Sequence, residues 1–444
     1  MVSAGSGVFI REDAASGNFR KAYFRATPRG LISEGIAAPT ALRQITSRTT
    51  MASVKNQDRQ RVMIIGGGLG GATLALALLQ RGFAVKVYEQ ASALTEQGAG
   101  LTLPPSSMRV FNALGVWEAV RDITVRQDGG SYVHYKTGEI LSYKPDYDWV
   151  KKPQNPDESG HSHRGAVHMV LVRAIRELAP DTFVLGHRLK GLTETNTGIM
   201  AEFENGARAE GDIVVGCDGL HSVTHKVLFG ERKPRFTGVV AMRTMIPVTE
   251  QVKPYLSGGR FLNYVGPTAS FLRYGVMGGT LLNCVALVKT DRWQTEGWEN
   301  KSSRAEFLEI FGDFHPDLVG LIENAPEDSF FKWALYDRDP LEAWSKGRVT
   351  LLGDAAHPML PYLGHGATTA IEDGLVLARC LEAYGDYSDA FRAYETARRD
   401  RTAKIMLASR AQGEAMTQSD PHRYAELRVD LGELRNYDAR TAPI

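Results

Sequence analysis

Two glycine-rich stretches carry the residues best suited to chemistry. In the first, Gly66, Gly68 and Gly71 form GxGxxG, with Gly70 inside it, between the apolar runs VMII and LALALL, and Glu89 ends the next apolar segment, AVKVYE. In a strand–turn–helix–strand unit the first glycine permits the tight turn and the second lets the backbone approach a pyrophosphate. The third lets helix and strand pack closely, and the acid accepts hydrogen bonds from a ribose. That chemistry is dinucleotide binding; a glycine turn serving packing alone is the plainer reading. The second stretch is GDAAHPMLPYLGHGATTAIEDG, from Gly353 to Gly374, preceded by the apolar RVTLL. It places Asp354 at a strand tip, and Gly364 and Gly366 before a helix beginning near Ala367. A strand-tip carboxylate accepts from polyol hydroxyls, and a helix N-terminus offers free N–H groups and a positive end to a phosphate or an electron-rich ring edge. This favours FAD over NAD as the resident dinucleotide, with a simple capping role for Asp354 as the alternative.

The elements around these stretches predict an α/β chain of mixed α+β character: a Rossmann-like FAD-binding domain, an inserted antiparallel substrate sheet and a C-terminal helix. The βαβ opening runs from Val62 to Glu89. Helices are predicted around 106–114, 166–178 and 303–311, with a long charged helix over 387–416. Alternating and aromatic segments from Phe236 to Lys289 read as an antiparallel meander. The expected divisions are 59–235 and 336–385 for the cofactor, 236–335 for the substrate sheet, and 386–444 for a helical region. Residues 1–58 are expected to be disordered, a targeting peptide, or an upstream extension before Met51: the first fifty carry six Arg against three acids and no sustained apolar period.

Composition narrows the partners. Lys and Arg total 52 against 51 Asp and Glu, so no nucleic-acid surface is implied. Residues 62–79 are uncharged and about span length, yet their five clustered glycines suit a strand, turn and buried helix better than a membrane segment. Cys217, Cys284 and Cys380 are far apart with no CxxC, which argues against a zinc site, a redox dithiol and a disulfide framework, so no metal is expected. A cytoplasmic location fits, or a mitochondrial one if the N-terminus is a transit peptide. The expected partners are small molecules, and a homodimer is the assembly left open.

Three motifs in order, GGGLGG with Glu89, GCDGLHS at 216–222, and GRVTLLGDAAHPMLPYLGHGATTAIEDG, together with GAGLTLPPSSMRVFNALG and HRGAVH, resemble the single-component flavoprotein monooxygenases, the flavin-dependent aromatic hydroxylases. The resemblance covers residues 60 to 415 and is strongest to the 3-hydroxybenzoate, salicylate and 6-hydroxynicotinate branches. It implies that Gly66, Gly68, Gly70, Gly71 and Glu89 hold the ADP half of FAD and that Arg164 touches the cofactor from the side. Asp218 would serve both FAD and the nicotinamide cofactor, Gly353 and Asp354 the ribityl chain, and Gly364, Gly366 and Ala367 the flavin ring. NADH or NADPH would be the reductant and O₂ the oxidant, a C4a-hydroperoxide delivering OH to an electron-rich ring. His357 and Pro358 match the turn beside the flavin, where Pro361 is a further candidate, and Tyr274 matches a tyrosine of the substrate pocket.

Strand alternation adds Ser270 and Leu272 to the face of Tyr274, with Phe271 and Arg273 opposite; a core tyrosine is the plainer reading of Tyr274. Departures from the resemblance fall on the substrate side. Ser270 and Thr102 stand where relatives have histidine, Pro361 and His365 where they have glutamine, and His225 where an arginine is expected. The substrate class implied is a phenolic or hydroxypyridine ring, with or without a carboxylate; epoxidation or oxidation of a non-aromatic metabolite is the alternative. A nicotinamide-dependent dehydrogenase leaves GCDG and GDAAHP unexplained, a disulfide reductase lacks its CxxC, and a flavin-bound sensor is the non-enzymatic reading.

Overall fold

The computed structural model describes residues 60–444 except 96–97, 128–129, 145–151, 257–260, 292–294, 296–299, 417–419, 428, 430–433 and 435. The expectation for residues 1–58 lies outside the described residues.

The strand Arg61–Ile65 is apolar and buried from Val62 onward, as a strand covered on both faces must be. It sits inside a six-stranded sheet in the order Ser345–Lys346, Val349–Leu351, Ile213–Gly216, Arg61–Ile65, Ala84–Glu89, Phe183–Leu185, parallel except for the edge pair at 345–351. The GxGxxG helix, Leu69–Gln80, is buried from Leu69 through Leu78 and packs against the helices Gly366–Ala383 and Arg164–Leu178. Small residues permit the first approach. A Cβ on Gly70 would stand 2.6 Å from the Leu352 side chain, and one on Gly374 would stand 2.9 Å from Leu74 N. The uncharged run 62–79 is therefore strand, turn and buried helix. No helix among the described residues is long and apolar enough to cross a membrane.

The second large sheet has seven strands, in the order Phe331–Asp337, Arg235–Pro247, Leu281–Lys289, Ala269–Val276, Phe261–Val265, Gly130–His134, Ile140–Lys144. Its last two strands come from well before the meander, Gly130–His134 pairing in parallel with Phe261–Val265. One face carries Phe271 and Arg273 and is covered by the helices Arg304–Phe311 and Pro316–Glu323, whose Phe307, Phe311 and Leu318 fill a separate core. Ser303 caps the first helix, accepting from Glu306 N at 3.2 Å. The opposite face carries Ser270, Leu272 and Tyr274. A three-stranded sheet of Gly100–Leu103, Gly160–His163 and Val125–Arg126 lies beside it, with Gly160–His163 in the middle. The long helix Tyr387–Met416 backs the turn at Pro361–Leu363: Ser409 Oγ donates to Leu360 O at 2.7 Å.

Candidate cofactor and substrate cleft

The dinucleotide turn is built by close backbone contacts. Gly66 has φ +102°, and a Cβ there would lie 2.4 Å from Cys217 O, so only glycine fits. Gly71 packs on Gly66 O, 2.1 Å from where its Cβ would stand. Gly68 is different. A Cβ there would meet only Arg164 Nη2, at 4.0 Å, which leaves this backbone open to a bulky group. No side chain caps the following helix, so its first-turn N–H groups are available to an anion. Glu89 Oε2 accepts from Gly67 N and Oε1 from Ala91 N, both at 2.8 Å. A carboxylate has about four acceptor sites, so Glu89 fixes the turn and keeps capacity for ribose hydroxyls. Ile65, Gly66, Tyr88, Glu89, His187 and Asp218 line one pocket at this end.

Asp218 lies at the end of the strand Ile213–Gly216 and ties down the next helix. Its Oδ1 accepts from Ser222 Oγ at 2.5 Å, and its Oδ2 from Thr224 N at 3.0 Å and Thr224 Oγ1 at 3.1 Å. Burial pushes its carboxyl up despite these bonds. His225, in that helix, is buried and held down to about 4 by burial and by Arg338 and Arg232.

The second glycine stretch folds as a short turn, Gly353–Ala355, another, Pro361–Leu363, and the helix Gly366–Ala383, which has no side-chain cap. Gly353 and Gly364 both take φ +65°. Asp354 is exposed; the surrounding protein pushes its carboxyl up, against the opposing pull of His357 and Arg164. Gly366 lies against it, its Cβ position 3.9 Å from Asp354 Oδ1. Behind the turn is a buried ionic cluster. Asp373 accepts from His357 Nε2 at 2.6 Å, Arg398 Nε at 2.7 Å and Gly353 N at 3.1 Å, while Glu372 takes Arg398 at 2.7 Å and Arg401 at 2.9 Å. Burial alone would raise both carboxyls; His357 and Arg398 outweigh it at Asp373, and Arg398 and Arg401 do so at Glu372, so both are held low. His357 is 1% exposed and its ring belongs to this cluster.

The sheet face meets the turn at Thr102. A Cβ on Gly364 would stand 3.5 Å from Thr102 Cβ. Leu272 is half-buried, Ser270 and Tyr274 are buried, and Pro361 is exposed. Burial pushes the Tyr274 phenol up, against a hydrogen bond with Thr102. Gly100 makes room for that hydroxyl, since a Cβ there would lie 2.6 Å from Tyr274 Oη, and Gly100 N donates to Asn283 Oδ1 at 2.7 Å. The structure thus brings Thr102, Tyr274, Gly364, Gly366, Asp354 and Arg164 into one region, with the Gly66–Gly71 turn next to Arg164. His365 is buried and turns its Nδ1 to Leu363 O at 2.6 Å.

Sequence reasoning missed His161, which stacks on Tyr274 at 4.2 Å between ring centroids and bonds Thr102 Oγ1 through Nδ1 at 3.3 Å. It also missed Arg243, whose guanidinium lies 5.1 Å from the Phe331 ring centre and 5.7 Å from that of Trp333, and is lowered by burial and by Arg164. Asn283, a lone amide in the apolar strand LLNCVALVK, was a readable signal.

Comparison with known proteins agrees with this geometry. A family model described as FAD binding domain matches residues 59–409. The 6-hydroxynicotinate 3-monooxygenase of Pseudomonas fluorescens is 35% identical over 81% of this chain and 93% of its own length. The 3-hydroxybenzoate 6-hydroxylase of Polaromonas naphthalenivorans is 33% identical over 79% and 87%. A salicylate hydroxylase substrate complex superposes with a TM-score of 0.72 at 25% identity, covering 86% of this chain and 97% of that one. The fold, the glycine turns and these matches together show that the chain belongs to the FAD-binding family of flavoprotein monooxygenases that includes the aromatic hydroxylases.

Proposed function

We propose that the protein uses NADH or NADPH and O₂ to hydroxylate a phenolic or hydroxypyridine ring, with or without a carboxylate. The carrying observation is the meeting of the Gly364 turn with Thr102, which puts the cofactor-binding elements directly against the polar end of the sheet face. FAD, when bound, supplies the redox and oxygen chemistry. The chain's own part is to bind, orient and exclude water. Open backbone at Gly68 and the uncapped helix take the pyrophosphate, Glu89 the ribose, and Asp354 the ribityl hydroxyls. His357, through Asp373, fixes the Gly353 amide and so positions Asp354. Leu272 and Tyr274 form the wall on which the ring lies, and Arg164 and Arg243 make the cleft attractive to anions, whether dinucleotide phosphate or ring carboxylate. In this reading 59–235 and 336–385 hold the cofactor, and 236–335, extended by the strands Gly130–His134 and Ile140–Lys144, presents the substrate face.

The experiment is a screen of phenolic and pyridine acids for stimulated NAD(P)H oxidation, with products identified by mass spectrometry. A ring product heavier by one oxygen supports the reading. FAD-loaded protein that forms no hydroxylated product with any ring compound would end it.

A further inference from the structure

The helix Arg164–Leu178 brings two side chains to the dinucleotide turn. Arg164 and His168 stand four residues apart and so share one face of that helix. Arg164 Nη2 lies 4.0 Å from the Cβ position of Gly68, and His168 Nε2 lies 2.6 Å from Gly67 O. A carbonyl oxygen can only accept, so the imidazole carries a proton on Nε2 and donates it. Burial, with Arg164, holds the ring below its ordinary value against the pull of the Gly67 bond and Glu89, which leaves it neutral at pH 7 with Nδ1 unprotonated.

Gly67 is thereby fixed on both sides. Its N–H donates to Glu89 Oε2 at 2.8 Å, and its carbonyl accepts from His168. The consequence falls on the next residue. In a trans peptide plane the C=O of one residue and the N–H of the next point in opposite directions, and no peptide bond among the described residues is cis. With Gly67 O turned to His168, Gly68 N–H is turned away from it. Among the described residues that N–H has no hydrogen-bond partner.

We propose that His168 is a cofactor-positioning residue: by holding the Gly67 carbonyl it presents the Gly68 N–H to the diphosphate of FAD. His168 acts through the peptide plane between Gly67 and Gly68. The inference rests on the open backbone at Gly68 taking the diphosphate and is independent of which ring is oxidised.

The test is FAD affinity by flavin fluorescence, together with the ³¹P spectrum of bound FAD. His168→Leu should weaken FAD binding about tenfold, the scale of one hydrogen bond to a charged group, and shift a diphosphate signal. His168→Gln carries an amide N–H that reaches the same oxygen, so it should restore the signal and stay within about threefold of the parent. If His168→Leu does not fold, His168→Asn, too short to reach Gly67, reads the same loss. Parent affinity with unmoved ³¹P signals in the variant that cannot reach Gly67 overturns the assignment. So does a loss of affinity that leaves those signals unmoved and that His168→Gln fails to restore, because His168 then serves packing alone. Gly68→Val, whose side chain enters the open space, separates the two levels: parent FAD affinity there overturns the placement of the diphosphate at Gly68, and the assignment of His168 with it.

Discussion

Gly66→Ala tests the cofactor turn where its geometry is tightest. The new Cβ would lie 2.4 Å from Cys217 O, 2.7 Å from Cys217 C and 3.1 Å from Asp218 Cα, all backbone atoms. Neither side yields easily, because Cys217 N bonds Ile65 O at 2.7 Å and Gly66 N bonds Tyr88 O at 2.8 Å. Reaching ordinary contact requires the backbone to part by about 1 Å, which costs roughly one such hydrogen bond, about 0.5–1.5 kcal/mol. The positive φ adds about 1–2 kcal/mol for a residue with a Cβ. The total is about 2–3 kcal/mol, which in a chain of this length is a fall in melting temperature of roughly 2–4 °C. Gly206→Ala is the control: φ is +84° but nothing lies within 4 Å of its Cβ, so the strain acts alone and the fall should be about half as large. FAD affinity, read by flavin fluorescence titration, should drop tenfold or more in Gly66→Ala, the scale of one lost charge-assisted hydrogen bond at about 1.5–3 kcal/mol, and stay at the parent value in Gly206→Ala. A Gly66→Ala protein that melts no lower than Gly206→Ala and titrates FAD like the parent would refute the geometry.

Other outcomes follow from the same site. Asp373→Asn removes one side of a buried ionic cluster and should cost about 3–5 kcal/mol in chemical denaturation, with FAD released more readily because a carboxamide has one acceptor oxygen and cannot serve both Arg398 Nε and the Gly353 and His357 donors. Asp373 and Glu372 are held low in the folded protein, so their stabilisation is full above the ordinary carboxylate range and disappears as pH falls below it; acid titration of melting temperature should show a drop that Asp373→Asn lessens. Asp354 is raised, so ionising it opposes folding as pH rises, and Asp354→Asn should hold or raise apoprotein stability near pH 7 while weakening FAD binding; calorimetry paired with FAD titration separates the two. Tyr274→Phe should lower product formed per NAD(P)H far more than FAD affinity, by about 1–3 kcal/mol of transition-state stabilisation if the bond is made to a charged phenolate.

Much of this was legible in local patterns. The βαβ opening follows from continuous apolar runs broken by a glycine turn, as elements buried all round require, and the long helix Tyr387–Met416 and the strand Ala269–Val276 from their periodicity. The glycines were legible for the same reason: a positive φ or a backbone contact at Gly66 leaves no other residue a place. Pairing between distant segments was not. Nothing local to Gly130–His134 announces a parallel partner in Phe261–Val265, and the contacts of His161 with Thr102 and Tyr274 join three separate strands. His357 shows the limit of motif reading. Its place beside the flavin turn was readable, but its ring serves Asp373 and a cluster completed by Arg398 from the next helix, a partner 25 residues beyond Asp373.

The most direct measurement is the fate of molecular oxygen. Purified protein, its flavin content established by release into the supernatant on acid precipitation, is incubated with NAD(P)H, ¹⁸O₂ and the ring acid that best stimulates oxidation. The expected result is noncovalently bound FAD and a ring product carrying one ¹⁸O atom, formed in step with NAD(P)H loss. Protein that cannot be reconstituted with FAD, or a product whose new oxygen comes from water, would contradict the central claim.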